Sequence, residues 1–465
     1  YPDGYSANIS CKKEGGLYTR QTVLRFDSEG NLIKTVDPEG NAVWTVHDEA
    51  GRALSRTRMT GDGPFPGAGA IPSPLPSPSS YTGSVTTSID LDEYGSVSSE
   101  TDANGSITRY TYDSRNRVVT RTNPDGTART VTYLPDGMVH TVTTEGGSVI
   151  TNTYDSENRL SSRDIAPGTH VEGTTREEFE YDLLGRVKST QDNNGGTAAV
   201  SRAFTYSGAG DLLTETQTVT GVPARQMQFS WNADSTLKQV TYPSGTAVEI
   251  LRDSLRRPGT YRVTQGFGEG NELADMITYS YLGTGRVKTR TTASSGQAII
   301  HEQFQYNDFG ETSSVQYTFP LAGAQTHGYT YTRDNAGNIL TRTTQHTVRG
   351  QAGRTETFEY DGLYRLTSYT AGGITLSWTL DAAGNWLQEQ RENTILTHIY
   401  NSMNERTSHN GTHVFHTDDG CYRSRGGEDL YTYDYKGRMV TSFTVETTSY
   451  TDPENMYPVA GEADS

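Results

Sequence analysis

The sequence predicts an all-β fold, a solenoid of tandem β-hairpins, and three observations predict it: a composition rich in turn and strand formers, a short motif repeated along the chain, and turn residues at fixed offsets from that motif. Of the 465 residues only 32% are hydrophobic, while 49 are glycine and 29 are tyrosine. Many short strands joined by tight turns fit those numbers better than helices or a thick compact core.

The repeated motif reads Tyr-Asp-x-x-Gly-Arg/Asn-apolar. It stands clearly at Phe26-Asp27 to Leu32, Tyr181-Asp182 to Val187 and Tyr433-Asp434 to Met439. Degenerate copies place the aspartate slot also at Asp48, Asp92, Asp113, Leu134, Asp155, Ser207, Asn232, Asp253, Leu282, Asn307, Asp334, Asp361, Asp381, Asn401 and Thr417. A second landmark follows many anchors by ten residues: Asp37-Pro38-Glu39-Gly40, Asp102-Ala103-Asn104-Gly105, Asn123-Pro124-Asp125-Gly126 and Tyr242-Pro243-Ser244-Gly245. Proline presets φ and glycine accepts a positive φ, so each tetrapeptide is a β-turn and each period holds two turns and two strands.

Asn116, Asn158 and Asn404 replace the glycine of the first turn. Asparagine is the commonest non-glycine visitor to left-handed backbone, so the slot is predicted to be left-handed and the hairpin bulged. The aspartate is then an acceptor for turn N–H groups.

Aromatic pairs two apart precede the anchors, among them Tyr110/Tyr112, Phe179/Tyr181, Phe204/Tyr206, Phe229/Trp231 and Phe304/Tyr306. Positions i and i+2 share a strand face, which predicts ladders of rings across stacked hairpins. Tyr329/Tyr331 before Asp334 and Leu376/Trp378 before Asp381 stand two residues early, which predicts two extra residues in those turns. Residues 61–80, rich in Gly, Pro and Ser, break the rhythm and read as a surface excursion, because proline removes ladder donors.

These motifs resemble the RHS/YD-repeat family, which includes bacterial Rhs proteins, the C components of insecticidal Tc toxins and the teneurins. The resemblance covers nearly the whole chain, and its specificity comes from repetition. It implies a β-strip spiralling into part or all of a hollow shell that encloses a toxic polypeptide or supports adhesion, and so a single array over residues 1–465. Rhs and Tc shells close with a self-cleaving core containing Asp-Pro-x-Gly elements; here Asp37-Pro38-Glu39-Gly40 sits in a repeat register near the first residue, so neither cleavage nor toxin activity is carried over.

The formal charge of −17 is spread along the chain, a poor match for phosphate, so nucleic acid is not expected as a partner. No stretch has membrane-spanning length. Cys11 and Cys421 are the only cysteines, too few for a disulfide framework or a four-thiolate zinc site. The sequence starts at Tyr1 without a charged-then-apolar leader, which reads as a leader removed or lying outside this segment. Asn8, Asn104 and Asn410 open Asn-x-Ser/Thr sequons that matter only in a eukaryotic secretory host.

Among candidate sites, His409, His413 and His416 form the sharpest local cluster. A turn at Asn410-Gly411 puts His409 and His413 on paired strands, a weak metal-site candidate beside the reading of ordinary strand histidines. No catalytic residue and no cofactor is nominated, since no nucleophile-elbow, zincin, Walker or dinucleotide pattern occurs. Arg117, Arg159, Arg186, Arg286, Arg365, Arg406 and Arg438 follow the glycine slot; pairing with carboxylates of neighbouring hairpins is favoured over a basic row for an anionic glycan. The resulting expectation is an extracellular or cell-surface structural shell whose partner is a cargo polypeptide or other regions of a larger parent. A glycan- or receptor-binding adhesion module and a polysaccharide-degrading enzyme are the alternatives.

Overall fold

The computed structural model describes residues 6–12, 18–59, 84–194, 197–265, 274–294, 297–346, 353–425 and 429–444. The excursion predicted at 61–80 lies outside them. Among the described residues there are 37 strands and no α-helix; a single 3-10 turn spans Pro320–Ala322. From Ser6–Lys12 through to Tyr422–Arg425, every strand pairs antiparallel with its successor to make a 35-stranded meander, and Asp429–Tyr433 pairs with Met439–Thr444 as a separate hairpin.

One hairpin shows why these residues form these elements. Strand Arg176–Tyr181 returns as Val187–Asn194. Between them the Asp182 N–H donates to Arg186 O at 2.8 Å and the Gly185 N–H donates to Asp182 O at 3.0 Å. The Asp182 Oδ1 accepts the N–H groups of Leu184 and Arg186, both at 2.9 Å, so one carboxylate oxygen satisfies two turn donors. Gly185 has φ 80° and Asn158, in the same slot, φ 62°, the left-handed backbone the asparagines predicted. The register jumps between Glu180 and Tyr181, leaving one extra residue on the returning strand, the bulge expected of such a turn. The second landmark turns close in the same way, with Gly40, Gly105, Gly126 and Gly245 at φ between 84° and 93°.

Two expectations about turns need correcting. The turns at Asp334 and Asp381 are no longer than the others: Asp334 N–H donates to Asn338 O and Asp381 N–H to Asn385 O, both at 3.0 Å. The strands Gln325–Arg333 and Ile374–Leu380 carry the additional residues instead, so Arg333 and Leu380 occupy the slot that a ring fills elsewhere. At Leu282 the positive φ falls on Gly283, at 60°, two places earlier than the slot.

The sheet is one layer thick, so the core is thin. Its one buried hydrophobic cluster among the described residues joins Val36, Ala42 and Met59, flanked by Val23 and Trp44. Contacts between repeats therefore rest heavily on polar and stacking interactions.

Candidate functional site

Many repeats are hooked to the one before by the tyrosine that precedes their anchor. Tyr206 Oη donates to Val187 O at 2.8 Å, Tyr181 to Leu160 O at 2.9 Å and Tyr306 to Val287 O at 2.7 Å. In each case the acceptor is the residue five places after the preceding anchor. Trp231 keeps the bond through Nε1 to Leu212 O at 2.7 Å, and Arg333, in the ring's slot, reaches Thr312 O at 3.4 Å.

Where an arginine follows the glycine slot, it clamps its repeat to the one after. Arg186 Nε donates to Asp182 Oδ2 at 2.6 Å, its guanidinium lies 4.6 Å from the centre of the Tyr206 ring, and its Nη1 donates to Ser207 O at 3.1 Å. Arg159 does the same over Tyr181. At these repeats the ladder alternates rings with guanidinium groups, while ring-on-ring contacts of the kind the sequence suggested join Tyr261 to Tyr279, Tyr317 to Tyr329 and Phe358 to Tyr369. Arg117, Arg159, Arg186, Arg365 and Arg438 all pair with the aspartate of their own turn, four residues back, and not with a carboxylate of a neighbouring hairpin. Arg52 and Arg257 do so as well; their position four residues after Asp48 and Asp253 was the signal that would have found them. The Arg117 side-chain bond, followed by its backbone N–H, holds the Asp113 carboxyl below the usual carboxylate range. Arg286 lies over Tyr306.

The second arrangement was invisible in the sequence. Hydrogen bonds join residues 259 to 327 positions apart, so the strip winds round and its second course lies against the first. Landmark turns of the first course meet anchor turns of the second. Arg20 forks onto Glu311 with Nη1–Oε1 2.8 Å and Nη2–Oε2 3.0 Å. Glu39 Oε1 accepts the Asn335 N–H at 2.6 Å. Tyr364 Oη donates to Asp37 and accepts from Asn41 Nδ2 at 3.0 Å. Asn404 Nδ2 donates to Asp102 Oδ2 at 2.8 Å, and Asn104 Nδ2 to Asp381 Oδ2 at 2.9 Å. Asp419 Oδ1 accepts the Gly146 N–H at 3.0 Å, Glu172 N–H donates to Tyr433 O at 2.9 Å, and Lys436 Nζ bonds the buried Glu177. Burial disfavours the Glu177 carboxylate, yet Lys436, Tyr435 and Arg163 together hold it below its ordinary range. Tyr364 stands in the glycine slot at φ 64°, a strained position for a bulky side chain, and its reach across the seam accounts for its presence there.

Two cavities lie along this seam. One of about 510 Å³ is lined by Arg56, Glu100, Asp102 and Arg121 on the first course and Met403 and Asn404 on the second. Another of about 730 Å³ has Arg129, Glu145, Arg163 and His170 facing Asp419, Cys421, Tyr433 and Lys436. Burial raises the pKa of the Cys421 thiol, keeping it in its poorly nucleophilic form.

The predicted histidine cluster is dispersed. Asn410 and Gly411, both left-handed, do make the turn, but His413 pairs with Ser408 and its ring lies 6.1 Å from Phe415. His416 is edge-on to Tyr422. His409 instead meets His398, a residue the sequence did not single out. Among the described residues no group of three or more His, Cys, Asp or Glu side chains is disposed around a metal position, and no helix is long and apolar enough to cross a membrane.

The chain's likeness to known proteins agrees with this geometry. Residues 92–128 match the RHS repeat family, and residues 272–451 match the teneurin YD-shell family. No curated protein matches the sequence. Among solved structures, the crystal structure of TcdB2-TccC3-TEV superposes with a TM-score of 0.72 at 13% identity, covering 93% of this chain and 25% of that one. TcdB2-TccC3 gives 0.69 at 13%, covering 92% and 26%. A Photorhabdus luminescens Tc holotoxin pore gives 0.59 at 14%, covering 96% and 27%. The chain spans about a quarter of the length of these structures, and identity this low speaks to the fold alone.

Proposed function

The chain belongs to the RHS/YD-repeat family, and on that premise we propose that it is a wall segment of a larger secreted or cell-surface shell, a structural part that surrounds a cargo polypeptide. The observation that carries the reading is the seam: a strip whose second course bonds to its first is a wall. Two further features support it. The turn arginines are engaged by their own aspartates and by neighbouring rings, which leaves them poorly placed to serve as a basic row for an anionic glycan. One structural neighbour is a Tc holotoxin pore, which favours a toxin polypeptide as the cargo. On this reading residues 1–465 form one array, with 61–80 as an excursion from it.

Small-angle X-ray scattering of the purified chain tests the wall. A curved single layer gives a distance distribution with its maximum beyond that of a solid globule of equal mass; a solid-globule profile removes the proposal. An adhesion reading keeps one specific support, the Trp386 ring, 46% exposed and backed by the half-buried Trp378 ring 5.5 Å away, since an exposed ring held in place suits stacking on sugars. Silence across a glycan array would retire it.

A further inference from the structure

We propose that His398 and His409 form a two-imidazole site for a divalent transition-metal ion, copper(II) or nickel(II) before zinc, which staples two adjacent strands of the strip. The proposal is independent of what the wall encloses. His398 lies on Thr394–Tyr400 and His409 on Arg406–His409, and the two are direct cross-strand partners in register. Directly opposed residues project from the same face of a sheet. Their Nδ1 atoms are 3.1 Å apart, with ring centres at 4.8 Å and planes inclined by 21°.

The ligand set selects among metals. Two neutral imidazoles completed by water are borderline nitrogen and oxygen donors, which bind copper(II) most tightly of the divalent first-row ions and suit the tetragonal geometry of copper or nickel. The rings are nearly parallel, so their lone pairs do not yet converge. Rotation about χ2, a soft torsion in histidine, turns both towards one point while the paired strands hold the backbones in place. Water completes the coordination.

The electrostatic surroundings are mixed. His398 is only 5% exposed; burial first, then Arg406, depresses its pKa, and burial first, then Arg425, His398 and Arg406, depresses that of His409. Glu389 acts on both histidines in the opposite sense and offers the negative field a dication requires. Arg406 and Arg425 oppose the ion and hold the affinity to a modest value.

The same construction recurs. His327 and His346 are direct partners on Gln325–Arg333 and Ile339–His346, with Nδ1 atoms 2.6 Å apart and Tyr317 and Tyr329 alongside. Tyr317 and Tyr329 crowd this pair, where Glu389 serves the other, so it fills second.

The test is titration of the chelator-stripped 465-residue chain with copper sulfate, followed by calorimetry and by electron paramagnetic resonance. One equivalent is expected to bind ahead of any other, with hyperfine structure from two imidazole nitrogens. His398→Gln and His409→Gln should each weaken it at least about tenfold, while His413→Gln leaves it unchanged. Undiminished binding in the double variant His398→Gln/His409→Gln overturns the proposal. Should the variants fail to fold, the wild-type spectrum decides: coordination by fewer than two imidazoles overturns it.

Discussion

Asn158 and Asn404 occupy the same place in the same turn, with φ of 62° and 61°, yet their side chains live differently. Asn158 is exposed to solvent. Asn404 faces the first course, where its amide donates to Asp102 and its carbonyl oxygen accepts from Asn104 and Asn385. Local chemistry sets the backbone of a turn, and what lies across the seam sets which side chain that backbone carries. Tyr364 is the sharper instance, since a side chain ill suited to left-handed backbone is kept where it can reach Asp37 and Asn41. The seam is specified at positions where the strip's own geometry would accept glycine.

That contrast can be broken by measurement, most strongly at Arg20. Arg20→Ala removes the forked pair with Glu311 and the stacking on Phe309, 3.9 Å away, and should cost about 2 kcal/mol, read as a lower urea midpoint. An unchanged midpoint would mean that the courses do not depend on each other. Asn404→Gly should cost about 1 to 2 kcal/mol through its lost seam bonds. Tyr206→Phe, within the strip, should cost about 1 kcal/mol by deleting the hook to Val187. Asn158→Gly should fall within about 0.5 kcal/mol of wild type, because glycine tolerates the same φ. Equal costs for the two asparagine variants would contradict the distinction between seam and strip.

Acid separates the same two regions. The Arg20 bond is the strongest influence on the Glu311 carboxyl and holds it below its ordinary value; the Arg257 bond does the same for Asp253. A carboxyl depressed by folding stabilises the fold above its unfolded pKa and loses that contribution as pH falls through its folded value. Seam glutamates therefore begin to weaken as pH drops below about 4.3 and turn aspartates below about 3.9. Hydrogen exchange should show the Glu172 amide, bonded to Tyr433 O across the seam, opening before the Arg186 amide of the Asp182 turn. The reverse order would mean that the turns are the weaker element.

Much of the strip could be read in advance because its rules are local. An aspartate, a left-handed residue three places later and an arginine after that define the turn, and Asn158 and Gly185 obey it. Reading position from the rings instead of the aspartate misplaced the extra residues before Asp334 and Asp381. The seam had no such pattern, since its partners lie far apart along the chain and are chosen by the curvature of the whole strip. Tyr364 in a glycine slot did not mark it either, since Arg256 fills the same slot and pairs within the strip, with Asp234. His398 escaped notice for a similar reason: it stands eleven residues before His409, and only the strand register brings them together.

The meander also constrains the order of assembly. Pairing each strand with its successor asks for short loop closures, which are entropically cheap and fast, so hairpins can zip up in sequence as the polypeptide leaves the ribosome. The contacts of Arg20 or Asp37 must wait for partners 291 and 327 residues further on. A nascent chain halted halfway would hold correctly formed hairpins with an unsealed rim, exposing hydrogen-bonding groups to any passing strand.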